Sequence, residues 1–192
     1  MLSILNWWRS RTPLGRRATE LYGSIVTQAR QPQFYAGVGV PDTPNGRYEM
    51  LVIHMFLVLE QLRRDEGPNG ALARALVEAF VTDIDDSLRE MAVGDMAVPR
   101  RVKKAAAGLL ERTASYRALC VANDPDTALV DEIASNIWNV SGDLATNQDP
   151  GRDDIPKRAY FLAGYMRQAV GLLRIEETGR AEGFPKLEGI ER

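Results

Sequence analysis

Apolar residues recur three and four positions apart along nearly the whole chain, and no stretch alternates with period two, so the pattern predicts helices throughout. The first helix is expected from about Leu14 to Ala29, with Leu21, Ile25, Val26 and Ala29 on one side and Pro32 ending it. The next stretch, Gln31 to Asn45, holds three prolines and two glycines, which predicts a loop. Phe34, Tyr35, Val38 and Val40 are too apolar for a solvated linker, so the loop should pack against the body or against a partner. A second helix opens near Gly46 and Arg47 and runs to about Arg64. Its centre, Leu51 to Leu59, is apolar on nearly every side, which marks it as the helix the others surround.

After the turn Gly67-Pro68-Asn69-Gly70, a third helix is expected over Ala71 to Met91. Leu72, Leu76, Phe80, Ile84, Leu88 and Met91 form its stripe, and Gly94 stops it. Pro99 belongs in the first turn of a fourth helix, whose inner face reads Val102, Ala105, Ala106, Leu109, Leu110, Thr113, Tyr116 and Cys120. Asp124 and Pro125 open a fifth, with Leu129, Val130, Ile133, Ile137 and Trp138 inward as far as Gly142. A polar loop, Thr146 to Asp154, leads to a sixth from Pro156, with Phe161, Gly164, Tyr165, Gln168, Leu172 and Ile175 as its face. The expected architecture is an all-α, single-domain bundle of about six helices. Residues 1–17 form a basic N-terminal segment, 18–178 the helical domain, and 179–192 a charged, loose tail.

With 192 residues, 45% of them hydrophobic, the chain can bury a substantial core. A net charge of -2 argues against coating nucleic acid by bulk charge, and no DNA partner is expected. One cysteine, Cys120, cannot form an internal disulfide, and one histidine, His54, excludes a histidine-rich metal site. The longest apolar run, Met50 to Leu59, is about half a membrane span. The expected location is cytoplasmic, at most peripheral to a membrane. The N-terminal segment carries Trp7, Trp8, Arg9 and Arg11 with no acid before Glu20. Three readings stand for it: a frayed terminus, a surface anchor with tryptophan at headgroup depth, or a targeting segment.

Candidate chemistry is sparse. Asp83, Asp86 and Glu90 share one flank of the third helix, while Asp85 and Arg89 are spaced to pair on its outside. An aspartate-rich helix could hold Mg²⁺ for diphosphate chemistry, but that needs facing acids, and Asp143, Asp153 and Asp154 lack metal-like spacing. The plainer reading is an acidic edge that pairs with a base such as Arg47 or meets a partner. His54 reads as a hydrogen-bonded core histidine and Cys120 as a small hydrophobe. Arg100, Arg101, Lys103 and Lys104 crowd the start of the fourth helix, where cations oppose the helix dipole; they pair with nearby acids or face an anionic partner. Phosphate loops, dinucleotide fingerprints and cysteine-pair metal motifs are absent. The residues alone describe a binding module rather than an enzyme, with no cofactor expected.

Three ordered stretches carry a resemblance. Leu21-Tyr22-Gly23-Ser24-Ile25-Val26-Thr27-Gln28-Ala29-Arg30-Gln31-Pro32-Gln33-Phe34-Tyr35 continues to Gly39-Val40-Pro41-Asp42-Thr43 and Gly46-Arg47-Tyr48-Glu49-Met50. Asp83-Ile84-Asp85-Asp86-Ser87-Leu88-Arg89-Glu90-Met91-Ala92-Val93-Gly94-Asp95 follows, then Val98-Pro99-Arg100-Arg101-Val102-Lys103-Lys104. Over roughly residues 18 to 140 the chain resembles the ubiquinol–cytochrome c chaperone family, assembly factors of respiratory complex III; Ala92 stands where a glycine is expected. The resemblance implies a non-enzymatic factor that binds newly made cytochrome b, in some members with a small partner protein at the ribosome. The short length resembles a bacterial member. On this reading Phe34, Tyr35, Val38, Val40, Pro41, Asp42, Arg47, Glu49, Asp83, Asp86, Arg89 and Glu90 are candidate client contacts. Arg100, Arg101, Lys103 and Lys104 would meet an anionic partner, and Trp7, Trp8, Arg9 and Arg11 a membrane surface. The alternatives are a helical Mg-diphosphate enzyme and a ribosome- or RNA-associated adaptor.

Overall fold

A computed structural model describes residues 12–65, 69–91, 94–121, 127–139, 154–176 and 179–187. Among the described residues six α-helices carry the fold: α1 (Pro13–Ala29), α2 (Pro44–Arg64), α3 (Gly70–Glu90), α4 (Val98–Val121), α5 (Thr127–Trp138) and α6 (Ile155–Leu172). Two-residue strands, β1 (Arg174–Ile175) and β2 (Ala181–Glu182), close the described chain as an antiparallel pair. The expected all-helical single domain is therefore observed.

α1 and α2 start in the same way. Thr12 and Thr43 each place a hydroxyl on an amide of the first turn, Gly15 N at 3.0 Å and Gly46 N at 3.2 Å, with Pro13 or Pro44 next in the chain. The threonine oxygen satisfies an amide that has no helical partner, and proline forfeits none that is needed. α2 is the axis and touches all five other helices. Met50, Val52, Ile53, Met55, Phe56, Leu57 and Val58 are all at most 1% exposed, as the all-round apolar run of Leu51 to Leu59 requires. α1 and α2 run antiparallel: Arg30 at the end of α1 and Arg47 at the start of α2 line the same groove.

Four expectations need correction. The stretch from Gln31 to Asn45 is not wholly irregular: Gln33–Gly37 forms one π turn, with Val38 N on Gln33 O at 2.9 Å and Val40 N on Phe34 O at 3.0 Å. Gly39, at φ 79°, supplies the left-handed step that folds the chain back, and a Cβ at Gly46 would collide with the Pro41 carbonyl. On α6 the inward face is Ala159, Leu162, Ala163, Tyr165, Met166 and Ala169; Gly164, Gln168 and Leu172 face solvent, and Ile175 belongs to β1. Leu110 on α4 is likewise 64% exposed rather than inward. The chain beyond Thr178 is not a loose tail as far as residue 187. Ala181 is buried, the Ala181 amide donates to Ser24 Oγ at 3.3 Å, and Phe184 packs against the His54 ring. Asp124, Pro125, Gly142 and the Thr146 to Asp153 loop lie outside the described residues.

Candidate functional site

The stripe of α3 outruns its cover. Leu72, Leu76 and Phe80 are buried, Ile84 is half-buried, and Met91 is 57% exposed just past the helix end. Where the ends of α1 and α3 meet the start of α2, this leaves an open groove of about 260 Å³. Its apolar lining is Val26, Ala29, Pro44, Leu51, Ile84 and Met91, with Arg30, Arg47, Tyr48, Asp83 and Ser87 as its polar members. Small-molecule sites run roughly 300–1,000 Å³, so the space suits a few side chains of a polypeptide better than a whole metabolite.

The polar groups around it are held in place. The Tyr22 hydroxyl, from the buried face of α1, donates to Asp83 Oδ2 at 2.8 Å; burial, then the Asp83 charge, push that phenol far above its ordinary range. Arg47 Nε donates to Asp42 Oδ1 at 2.6 Å, and this hydrogen bond holds the Asp42 carboxyl below its usual value. Both partners are well exposed, at 61% and 59%, so the pair sets the rim without adding much stability. Asp85 accepts from Arg89 Nε at 2.7 Å, as the i, i+4 spacing predicts. Asp86 and Glu90 are exposed. With Asp83 taken by a tyrosine and Asp85 by an arginine, the aspartate-rich helix presents engaged carboxylates rather than a vacant ligand set. Among the described residues no group of three or more His, Cys, Asp or Glu side chains could hold a metal ion.

Several residues singled out in the sequence lie elsewhere. Phe34 is 0%, Val38 3% and Val40 2% exposed, so the apolar loop is core and offers no bare surface at those positions. Tyr35 is half-buried, its hydroxyl on the Ala29 carbonyl at 3.0 Å; Pro41 is half-buried, its carbonyl against Gly46. Glu49 is not at the mouth of α2: its side chain is 1% exposed and accepts from Arg112 Nε at 2.7 Å. Burial raises the Glu49 carboxyl against the pull of Arg112, and its Oε1 has no hydrogen-bond partner. Arg112 also lies over the Tyr48 ring, 5.9 Å from its centre. Arg100, Arg101, Lys103 and Lys104 are all exposed on the first turns of α4. Trp7, Trp8, Arg9 and Arg11 lie outside the described residues.

His54 is a wholly buried core histidine, as expected. Its Nδ1 lies 2.7 Å from the Met50 carbonyl, which can only accept, so Nδ1 carries the proton and Nε2 accepts from the Tyr165 hydroxyl at 2.9 Å. Gln28 Nε2 donates to that hydroxyl at 3.3 Å, completing a chain from α1 through α6 to α2. Desolvation holds the imidazole down at about 4. The Phe34 ring stands edge-on to both His54 and Tyr165, 5.3 Å from each. Cys120 is partly buried and its thiol is pushed up to about 11 by burial, as suits a packing residue.

A cluster around Glu60 was missed. Glu60, 2% exposed, accepts from Arg63 Nη2 at 2.6 Å, Arg117 Nε at 2.9 Å and Arg64 Nε at 3.3 Å. Arg63 and Arg64 could have been paired with it from their i+3 and i+4 spacing; Arg117 comes from another helix and could not.

The sequence pattern described as ubiquinol-cytochrome C chaperone matches residues 36–176. Among solved structures, the chain is similar to the Cbp3 homolog from Brucella abortus at 35% identity and a TM-score of 0.67, over 89% of this chain and 87% of that one. No curated protein matches. A family pattern spanning well over half the chain, on a fold shared with that homologue, places this protein in the ubiquinol–cytochrome c chaperone family.

Proposed function

We propose that this chaperone binds newly made cytochrome b through the groove between α1, α2 and α3, and so promotes assembly of the ubiquinol–cytochrome c reductase complex. The observation that carries the reading is the uncovered end of the α3 stripe. Ile84 and Met91 continue the core's apolar surface out into solvent, and Arg30, Arg47 and Asp83 border it. A client segment can lay apolar side chains on that floor while its polar ends meet the rim charges. This relocates the expected client contact from the buried Phe34, Val38 and Val40 to the groove between α1, α2 and α3, with Arg47 and Asp83 on its lining and Asp42 paired to Arg47. Arg100, Arg101, Lys103 and Lys104, exposed on the first turns of α4, are our candidates for contact with an anionic partner such as ribosomal RNA, and a small partner protein would use a further face.

Photo-crosslinkers installed separately at Met91 and at Tyr160, an equally exposed side chain on α6, test the assignment during synthesis of cytochrome b. Capture at Met91 and little at Tyr160 is expected. Equal capture at both positions, or capture at Tyr160 alone, refutes the groove.

A further inference from the structure

Gly108 is a buried glycine in the interior of α4, a helix of 24 residues. Glycine there loses more backbone freedom on folding than alanine would, so the position calls for a reason. Tyr48 supplies it. A Cβ at position 108 would stand 2.7 Å from the Tyr48 hydroxyl oxygen and 3.2 Å from Arg112 Nη1. The same hydroxyl donates to the Ala105 carbonyl at 2.8 Å. The tip of the ring therefore rests on the surface of α4, in the space that any side chain at position 108 would fill.

Tyr48 is at the same time a wall of the groove, beside Leu51 one turn further along α2. It is only partly buried, and the groove is its open side. Its other neighbours are fixed. The fully buried Phe80 stands with its ring centre 6.4 Å away. The Arg112 guanidinium lies 5.9 Å from the Tyr48 ring centre and is anchored by its Nε on Glu49 Oε2 at 2.7 Å, a carboxylate inside the core. A ring pushed off α4 has Phe80 and Arg112 against it and the groove free before it. The groove, at about 260 Å³, has room for only a few side chains, so a phenol swung into it takes a large share of that space.

We infer that Gly108, on a helix that does not itself line the groove, is a positioning residue for client binding: by leaving room for the Tyr48 hydroxyl it holds that ring back against α4 and keeps open the space that receives the client's largest apolar side chain. The inference rests on the groove being the client site. The floor beside the ring is Val26, Leu51 and Ile84, so the segment that fits is one with a bulky apolar residue, whose burial there stabilises in proportion to its area. Glu49 and Arg112 complete the brace from the core side. Position 108 thus sets the width of the groove through a residue sixty positions away in the chain.

The test compares Gly108→Ala, Tyr48→Phe, the double variant and Gly164→Ala in the full chain. One readout is the crosslink of newly made cytochrome b to position 91 at limiting chaperone; the other is the crystal structure of Gly108→Ala. Gly164→Ala is the control, since Gly164 is an exposed helical glycine with open space where its Cβ would go. Gly108→Ala should lower the crosslink about tenfold, the order of affinity carried by burying one large apolar side chain. Its melting temperature should stay within about 4 °C of the parent, because the gain in helix propensity offsets the lost hydroxyl bond. Tyr48→Phe removes the atom that meets the new methyl group, so the double variant should capture within about twofold of Tyr48→Phe alone. Gly164→Ala should leave capture unchanged. In the structure of Gly108→Ala, the Tyr48 ring should lie in the groove with its bond to Ala105 broken. Parent-level capture by Gly108→Ala, a loss that Tyr48→Phe does not relieve, or a structure in which Tyr48 keeps its bond to Ala105 while α4 has shifted would each overturn the inference. A parent protein that never crosslinks at position 91 refutes the groove as the client site instead, and the structure of Gly108→Ala still decides what holds the ring, so the two assignments fail separately.

Discussion

Phe34→Ala separates the two roles that Phe34 could have. If the residue is core, its removal costs stability; if it were a client contact, its removal would cost capture and leave the fold alone. The ring is completely buried and stands edge-on to His54 and Tyr165 at 5.3 Å. Deleting a buried phenyl ring loses its transfer free energy and leaves a cavity, together about 3–5 kcal/mol. The two edge contacts and the packed neighbours on α2 and α6 place the expectation in the upper half of that range. For a chain of this size each kcal/mol moves the melting temperature by about 2–4 °C, so a drop of roughly 8–20 °C is expected. Urea unfolding followed by far-ultraviolet circular dichroism measures it, provided the slope with denaturant is unchanged. Tyr35→Phe is the companion: it removes one half-buried hydrogen bond to Ala29 and should cost about 0.5–1.5 kcal/mol. A Phe34→Ala protein that unfolds within 1 kcal/mol of the parent, yet no longer captures client at any temperature where it is folded, would refute the burial argument.

Three further outcomes follow from the buried polar groups. The Glu60 carboxyl is raised by burial but lowered more by hydrogen bonds from Arg63 and Arg117 and their charges, to about 2 against an ordinary 4.5. Its contribution, about 3 kcal/mol at most, is present above pH 4.5 and lost as pH falls toward 2, so Glu60→Gln should flatten the acid limb of a urea-midpoint profile. His54 has the same sign for the opposite chemical reason: a neutral imidazole held at about 4 against 6.5 must be charged as the protein unfolds below pH 6.5. Unfolding at pH 5 rather than pH 7 should cost the fold about 2 kcal/mol through this group, and a His54→Gln variant should lack that step. Arg112→Ala strands the Glu49 carboxylate in the core and should destabilise by about 3–5 kcal/mol; adding Glu49→Gln should restore part of that, measured as a double-mutant cycle.

What the chain's own pattern decided is which segments are helical and which helix is the axis. Both follow from local rules: spacing of three and four, and an apolar run at Leu51 to Leu59 that leaves almost no side for solvent. The Asp85–Arg89 pair and the satisfied His54 were legible for the same reason, since one turn of helix brings i and i+4 together. Tertiary structure alone decided where that surface stops being covered. Phe34 and Met91 are equally apolar in sequence, yet one is sealed by α2 and α6 while the other overhangs the end of α3. The rotation of α6, the partner of Glu49 and the third arginine on Glu60 all depend on contacts between residues dozens to more than a hundred positions apart. Periodicity constrains only neighbours within a turn or two; which faces meet, and which are left bare, is set by how six rods of unequal length share one core.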